Sequence, residues 1–291
     1  MAYLVGMILG NGEVQRNNDI TKITIEIPHK NLKDDKGLEV PVYVKASLVD
    51  IQGVIKPLLG DHTRLTISSE SERATKISFS KSNEDYTMRE LLRFIGEGVH
   101  HSTMTMNKEL WGMTTDEKKE LLRGIADVTG YIRKSNMAFG KTGHHRVYIE
   151  IPGNWQLVID IANMLKTLDI PVQTIDFGHP NFRDPKLTKY NEGNHNYWKK
   201  EHQLKIWANE FLPIGFNIVN KQTALIEYAQ ELSKYLDKEK THKFYWEKTN
   251  RKKIKPEHPM ENDDSLPEKI KGKHFDSWTQ LAEELGYGEK C

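Results

Sequence analysis

Alternation of hydrophobic and polar residues marks two strand-like segments that share a short sequence. Hydrophobic side chains alternate with polar ones from Ile23 to Ile27 and from Val147 to Ile151. Such a two-residue period is typical of a half-buried strand. Each segment contains Ile-Glu-Ile-Pro, at residues 25–28 and 149–152, and this recurrence in similar surroundings indicates an internal duplication.

A glycine-containing apolar segment precedes each of these strands. Residues 4–12 read LVGMILGNG and residues 122–130 read LRGIADVTG, so that two glycines in each segment are in register. Small residues let the backbones of two helices approach closely. They recur in both segments, at Gly6, Gly10, Gly124 and Ala126. The sequence therefore predicts two helices packed side by side.

The remaining periodic segments also occur twice, in the same order. An amphipathic helix is predicted at residues 49–59, where Pro57 should end it early, and a matching helix at residues 159–169. Strand pairs with a closing helix follow, at residues 64–68, 75–80 and 88–97, and at residues 172–177, 203–208 and 221–234. The pattern predicts an α+β fold of two αββαββα halves with antiparallel sheets, over residues 1–110 and 111–240, and a C-terminal extension over residues 241–291.

Two further segments lie outside this repeated pattern. Residues 178–202 are rich in turn formers, with basic and aromatic side chains among them, which is typical of a long hairpin loop. In the extension, a basic and aromatic stretch is followed by an acidic linker at residues 257–268. Residues 275–285 then have the apolar spacing of a short helix that packs onto the core.

Charge and composition narrow the function classes. The 42 Lys and Arg residues nearly balance 41 Asp and Glu residues, so the net charge of +1 confines any basic surface to part of the molecule. Cys291 is the one cysteine, which excludes an internal disulfide and a cysteine-based zinc site. No apolar run reaches the roughly 18 residues of a membrane span. We expect a soluble protein of the cytoplasm or the nucleoid.

The two glycine-containing segments resemble the motif of the LAGLIDADG homing endonucleases, in the form that carries two motifs in one chain. The resemblance implies two helices meeting at a pseudo-twofold axis, with the antiparallel sheets of both halves lying in the major groove of double-stranded DNA. It also implies a monomer that acts on an asymmetric or near-palindromic site. The implied activity is Mg²⁺-dependent, site-specific hydrolysis of phosphodiesters, in homing or in restriction.

This chain departs from the family at the metal-binding positions. The family places an acidic residue just before the last glycine of each motif, and the implied metal site here comprises Asn11 and Thr129 with the preceding Gly10 and Val128. Glu13 and Asp127, the nearest carboxylates, are candidate catalytic residues beside Asn11 and Thr129, although helical rotation should point Asp127 away from the site. Three explanations stay open: relocated ligands, a natural binder that has lost cleavage, or an engineered acid-to-amide change at Asn11.

Polar and basic residues fill the strands that the resemblance places on DNA. The DNA-binding candidates are Gln15, Arg16, Arg64 and Lys76 in the first half, and Arg133, Lys134, His145, Arg146, Arg183 and Lys205 in the second. Residues 214–222 resemble a family stretch that leads into the closing helix. This similarity implies that Lys221 faces a phosphate near the scissile bond and that Gln222 assists it. The alternative is that Lys221 is an exposed lysine at the start of the helix.

Two other functions compete with the endonuclease. The neutral side chains of Asn11 and Thr129 favour a sequence-specific DNA-binding protein that does not cleave, such as a regulator, or a maturase-like RNA-splicing factor. The third hypothesis is a structural protein whose duplicated fold serves protein contacts only.

Overall fold

The computed structural model describes residues 1–32, 40–71, 73–134, 145–177, 201–233, 266–273, 275 and 278–289. These residues form an α+β protein with two four-stranded antiparallel sheets. None of the described helices is long and apolar enough to cross a membrane.

The first half runs from helix α1 to helix α3. Its elements are α1 (Ala2–Asn11), β1 (Gly12–Arg16), β2 (Ile20–Pro28), a 3-10 turn (His29–Leu32), α2 (Val40–Leu59), β3 (Thr66–Ser71), β4 (Ala74–Ser82) and α3 (Tyr86–Ile95). The strand order in the sheet is β1-β2-β4-β3. Asp85 begins α3, since its side chain accepts a hydrogen bond from the Met88 N–H and so satisfies one of the free amides of the first turn.

The second half repeats this order after a short helix, α4 (Lys108–Trp111). Its elements are α5 (Thr115–Thr129), β5 (Gly130–Lys134), β6 (His145–Pro152), α6 (Trp155–Thr167), β7 (Thr174–Asp176), β8 (Glu201–Trp207), α7 (Ala208–Phe211) and α8 (Val219–Ser233). The strand order is β5-β6-β8-β7. Thr114 and Glu117 form a capping box that fixes the start of α5.

The two sheets have the same strand order and the same register where the repeated segments pair. Gly12 lies opposite Ile25 in the first sheet, and Gly130 lies opposite Ile149 in the second. Each pair joins the last glycine of the helix motif to the first isoleucine of Ile-Glu-Ile-Pro. The duplicated αββαββα fold predicted from the sequence is therefore present.

Helices α1 and α5 pack together with their backbones in contact. A Cβ atom on Gly6 would lie 2.0 Å from the carbonyl oxygen of Leu121, and one on Gly124 would lie 2.0 Å from the carbonyl oxygen of Tyr3. No side chain larger than hydrogen fits at either position without separating the helices. The reciprocal contact is what a pseudo-twofold axis between the two helices requires.

The strand period decides which side chains face the helices. In β2 and β6 the isoleucines and valine of the repeated segments are buried in a core that continues through both halves. Alternate residues, including Glu26 and Glu150, point to the opposite face of each sheet. This opposite face is where the sequence predicted contacts with a nucleic acid.

Helix α2 is longer than predicted. It begins at Val40, nine residues before the predicted start, and continues through Pro57 to Leu59. The prediction that Pro57 ends the helix early was wrong. Pro57 removes one hydrogen bond, to the carbonyl of Gly53. Gly53 lies on the exposed face of α2, so that carbonyl is open to solvent and its loss of a partner costs little.

The short helix predicted near the C terminus is α9 (Trp278–Glu284), and it packs against the second half. Leu281 and Leu285 are buried in the common core. The Asn163 side chain of α6 donates a 3.0 Å hydrogen bond to the Gly286 carbonyl and accepts a 2.7 Å hydrogen bond from the Gly288 N–H. Most of the predicted acidic linker lies outside the described residues.

Candidate nucleic-acid interface

The outward face of the first sheet is an open, polar groove of about 600 Å³. Three of the predicted DNA-binding residues, Gln15, Arg64 and Lys76, line it together with exposed Lys22. The rest of the lining consists of the hydroxyl groups of Thr24, Thr66, Ser68, Ser78 and Ser80, together with Glu13, His62 and Phe79. A surface of cationic and hydrogen-bonding side chains on a sheet can contact both the phosphates and the base edges of DNA.

Arg16, at the end of β1, is exposed but already engaged. Its guanidinium donates a hydrogen bond to the Gly96 carbonyl, after helix α3. Arg16 therefore joins β1 to α3 in this structure. Its role in DNA binding remains a prediction.

Two predictions for the second sheet are corrected, one on each of its faces. Arg146 is 4% exposed and lies over the Trp207 ring at 4.4 Å from the ring centre. His145 lies on the same face of β6 as the core residues Val147 and Ile149, and it stacks on Tyr228 of α8 with 3.5 Å between ring centres. Burial lowers the pKa of Arg146, although nearby Tyr148 opposes that effect. Neither side chain is available to DNA in this structure, because aromatic neighbours cover both.

The other predicted residues of the second half differ in their surroundings. Arg133 is exposed on β5. Lys205 forms a 2.5 Å ion pair with Asp176, across β8 and β7. The side chain of Lys134 and the whole of Arg183 lie outside the described residues, as do residues 178–200 of the hairpin loop predicted at residues 178–202.

A cleft of about 360 Å³ lies at the base of α1 and α5, where the two halves meet. The predicted residues Asn11, Glu13 and Thr129 line it. The cleft also contains residues that the sequence reasoning did not select, among them Glu26, Lys30, Asn31, His101, Glu150 and Glu201. Each half contributes to the lining, so the cleft spans the pseudo-twofold axis.

Hydrogen bonds within the protein occupy the groups at the implied metal positions. The Asn11 side-chain amide donates to the Glu26 carbonyl at 2.9 Å. The Thr129 hydroxyl donates to the Ile125 carbonyl, one turn back in α5, at 2.7 Å. The Asn31 amide donates to the Val128 carbonyl at 3.1 Å.

This donor set does not fit the metal site that the resemblance implies. Mg²⁺ is usually held through one or two carboxylates, and neither Asn11 nor Thr129 supplies one. An N–H group of Asn31 stands at the Val128 carbonyl, where a cation would have to be. Among the described residues, no group of three or more His, Cys, Asp or Glu side chains could hold a metal ion.

Asp127 faces away from the cleft, as helical rotation predicted, and is 0% exposed. Its carboxylate accepts a 2.8 Å hydrogen bond from the Tyr3 hydroxyl and a 3.0 Å hydrogen bond from the Asn217 N–H. Burial raises the pKa of Asp127 to about 6, against the opposing effects of Lys221 and these hydrogen bonds. Asp127 therefore holds the halves together, and the prediction of a catalytic role does not match its position.

Lys221 is also buried, at 7% exposure, which corrects the prediction of a phosphate-facing lysine. Its ammonium group donates to the carbonyls of Asp127 at 2.8 Å and Gly130 at 2.6 Å. These carbonyls lie at the end of α5, where helical carbonyls lack partners and a positive charge is favourable. Burial lowers the pKa of Lys221 to about 8, and Asp127 opposes this effect.

Gln222 has a local structural role as well. Its side-chain oxygen accepts a 2.8 Å hydrogen bond from the Phe216 N–H. A Cβ atom on Gly215 would lie 2.7 Å from the same oxygen, so the turn before α8 depends on glycine at φ +64. The predicted assistance of Gln222 in catalysis is not compatible with this placement.

Lys30 links the two halves across the cleft. Its ammonium group donates to Glu150 at 2.8 Å and to Glu201 at 2.6 Å, both in the second half. Burial tends to lower the pKa of Lys30, but the hydrogen bonds to both carboxylates outweigh it and raise that pKa overall. The repeated Ile-Glu-Ile-Pro segment contained the signal for this region, because its glutamates must face away from the core.

No protein-family model matches this chain, and no curated protein sequence matches it. One similar solved structure is a variant of I-DmoI in complex with its target DNA and Mn, which is 13% identical; the match covers 73% of this chain and 90% of that chain, with a TM-score of 0.39. Another is I-AabMI bound to uncleaved DNA, which is 12% identical; the match covers 84% of this chain and 93% of that chain, with a TM-score of 0.38. A third is I-GzeII in complex with a DNA target (10% identical, covering 85% and 91%, TM-score 0.32).

These neighbours are LAGLIDADG homing endonucleases. The roles of individual residues in this chain rest on its own geometry.

Proposed function

We propose that this protein binds double-stranded DNA at a specific site, across the outward faces of its two sheets. The repeated strand register about the α1–α5 axis carries this proposal, because it sets two equivalent sheet faces side by side on one surface. The exposed groove of the first sheet supplies Gln15, Lys22 and Arg64 as hydrogen-bonding and cationic groups. Long polar side chains of this kind discriminate between base pairs in the major groove.

The proposed binding is by a monomer. The pseudo-twofold axis lies inside one chain, so a single molecule offers both half-site surfaces. Because the two outward faces differ in exposure and composition, the preferred site is asymmetric or only near-palindromic. Sedimentation of the complex with one duplex tests the expected ratio of one chain to one DNA molecule.

Site-specific endonuclease activity is the second candidate function, as the sequence resemblance implied. The specific observation in its favour is the presence of Glu13 and Glu26 in the cleft on the axis. The hydrogen bonds of Asn11, Thr129 and Asn31 count against cleavage at the helix ends themselves. We therefore rank DNA binding first and hydrolysis second.

The test is selection from a randomised duplex library, in parallel with Mg²⁺ and with Ca²⁺, followed by sequencing of the bound and the cut molecules. Selective binding without cutting supports the first candidate. Cutting at a defined site in Mg²⁺ supports the second, which includes the first. A protein that enriches no sequence in either ion overturns both. A parallel library of structured RNA tests the maturase-like alternative.

A further inference from the structure

Helices α2 and α6 occupy equivalent places in the two halves. The repeat in the sequence aligns Asp50 of α2 with Asp160 of α6. Each of these carboxylates accepts a hydrogen bond from the backbone of another element. Asp50 accepts it from the Val219 N–H at 2.9 Å, and Asp160 accepts it from the Met106 N–H at 3.0 Å. The alignment therefore holds in three dimensions, and the outer faces of the two helices can be compared position by position.

The C-terminal segment covers the outer face of α6. Ile159 is 1% exposed, and a Cβ atom on Gly286 would lie 4.0 Å from the Cγ2 atom of Ile159. One turn along the helix, the Asn163 side chain forms its hydrogen bonds with the backbone of Gly286 and Gly288. In the second half, this helix face is thus a docking surface for another segment of polypeptide.

The outer face of α2 is apolar and exposed. Val49, the counterpart of Ile159, is 61% exposed, and Val42, two turns earlier on the same face, is 60% exposed. Gly53 stands where α6 has Asn163, so α2 offers no side chain that could hold a copy of the C-terminal segment. The same helix face is therefore covered in one half and exposed in the other, and the exposed face suits a different occupant.

Gly53 points independently to a close contact from outside the chain. Glycine inside a helix is less stable than alanine, so its presence there needs a reason. Gly6 and Gly124 have one, because each lets the backbone of a second helix approach, whereas a Cβ atom on Gly53 would meet nothing within 4 Å. A glycine on an exposed helix face gives a helix of another molecule the same close approach.

A second exposed apolar face, on α8, lies beside α2. The hydrogen bond from the Val219 N–H to the Asp50 carboxylate joins the start of α8 to the middle of α2. Val219 and Ile226 are two turns apart on one face of α8, and they are 58% and 44% exposed. The two adjacent helices thus present apolar side chains with the same two-turn spacing.

The charges beside these apolar side chains are of opposite sign on the two helices. The outer face of α2 carries exposed Lys45 and Lys56. Among the described side chains of α8, the exposed charged group is Glu227, because Lys221 is buried. A contact between α2 and α8 of two molecules brings opposite charges together, whereas a contact between two α2 helices would bring lysines together.

We propose that the outer face of α2 packs on the exposed face of α8 of a second copy of this chain, in a symmetric dimer. The reciprocal contact forms about the same twofold axis, so the assembly closes after two copies. Both helices contribute to the core on the inner side of the sheets, so the outward sheet faces stay open in the dimer. Each chain then still binds one duplex, and the dimer holds two. That consequence rests on the proposed function, but the dimer itself does not.

The test is sedimentation equilibrium of the DNA-free, full-length protein at concentrations from about 1 μM to about 100 μM. We expect an equilibrium between monomer and dimer. Val49→Glu should weaken the dimer more than about tenfold, because it buries a charge in the apolar part of the interface. The matched control is Val99→Glu, at an exposed valine outside both helices, which should change the dissociation constant less than about twofold.

An exchange of charges tests which faces meet. Glu227→Lys should weaken the dimer about threefold or more, and so should Lys45→Glu combined with Lys56→Glu, because each leaves like charges opposite one another. The protein with all three changes should regain the affinity of the parent to within about threefold, since opposite charges then meet again.

Thermal unfolding shows that each variant is folded, and only variants that melt within a few degrees of the parent are compared. A parent protein that stays monomeric at every concentration overturns the proposal. A dimer that Val49→Glu leaves intact also overturns it, and so do charge changes that the combined variant does not rescue. A DNA-free dimer of a protein that selects no DNA sustains the interface and overturns the proposed function.

Discussion

The hydroxyl of Tyr3 donates a 2.8 Å hydrogen bond to the carboxylate of Asp127, across the packed helices α1 and α5. The same carboxylate accepts hydrogen bonds from the backbone N–H groups of Asn217 and Ile218, before α8. One buried acid therefore connects the first half, the second motif helix and the closing helix. Its loss should affect the assembly of the whole molecule.

Replacement of Asp127 by Asn should destabilise the protein, because the surrounding groups are donors and the new amide adds two more. We expect a loss on the order of 1–3 kcal/mol in the free energy of unfolding at pH 7. Urea denaturation followed by circular dichroism measures it. Tyr3→Phe, which removes one donor only, should cost less than Asp127→Asn.

The stability difference between the parent and Asp127→Asn should depend on pH. The folded pKa of Asp127, about 6, lies above its ordinary value of 3.8, so the folded state holds a proton that the unfolded state has lost between these pH values. The contribution of Asp127 to the free energy of unfolding is thus fully present below about pH 4, and it declines as the pH rises to about 6. The decline should reach up to about 3 kcal/mol.

Unfolding of both proteins from pH 4 to pH 7 measures this difference. Burial lowers the pKa of His101 to about 4, so His101 titrates in the same pH range. Its titration makes the free energy of unfolding rise with pH, which is opposite to the effect of Asp127. Its effect is common to both proteins and cancels in the difference. A difference that is constant, or that grows with pH, contradicts the prediction.

Gly6→Ala should disrupt the contact between the two motif helices. The added methyl would lie 2.0 Å from the Leu121 carbonyl oxygen, so the helices must separate. We expect a loss of about 3 kcal/mol or more, measured by thermal unfolding. The control is Gly53→Ala in α2, where a Cβ atom meets nothing within 4 Å. It should stabilise the protein by about 0.5–1 kcal/mol.

Lys221→Met should be among the most damaging single changes in the closing helix. It leaves the carbonyls of Asp127 and Gly130 without their donor and the Asp127 carboxylate without a nearby cation. Breaking a buried charge pair on one side costs about 3–5 kcal/mol. Lys118→Met, on the first turn of α5, should change stability by less than about 0.5 kcal/mol. Similar melting temperatures for the two variants would show that Lys221 does not hold α5.

Arg64→Ala and Lys22→Ala should weaken DNA binding without affecting the fold. Both side chains are exposed in the groove of the first sheet. If each contacts a phosphate, each change should lower the slope of log affinity against log salt by about 0.9. Fluorescence anisotropy with the selected duplex at several salt concentrations measures the slope. Lys118→Ala, at the opposite end of α5 from the sheets, should leave it unchanged.

The sequence predicted the duplication because helix and strand periods depend on local spacing, which both copies share. It also predicted the orientation of Asp127, since rotation along a helix is fixed. It could not predict that α2 continues through Pro57, because the effect of this proline depends on which face of the helix is solvated. The buried position of Lys221 was likewise hidden, since burial depends on contacts with residues about 90 positions away in the chain.

Residues of the cleft could be predicted only where a family resemblance or an internal repeat pointed to them. Asn11, Thr129 and Glu13 do line the cleft. The glutamates of Ile-Glu-Ile-Pro were visible as a repeat, but the repeat alone did not place them beside the helix ends. Lys30, Asn31 and His101 come from turns and loops, whose positions follow from tertiary contacts and leave no periodic signal.

The divergence of Gly53 and Asn163 at equivalent positions has a genetic consequence. In a symmetric dimer of identical halves, a single codon change alters both copies of a position together, so a glycine and an asparagine cannot coexist there. Fusion into one polypeptide removes that restriction, and each copy can acquire its own chemistry by separate mutations. A DNA-binding surface built in this way can be retuned for one strand or one end of its target while the other end keeps its recognition.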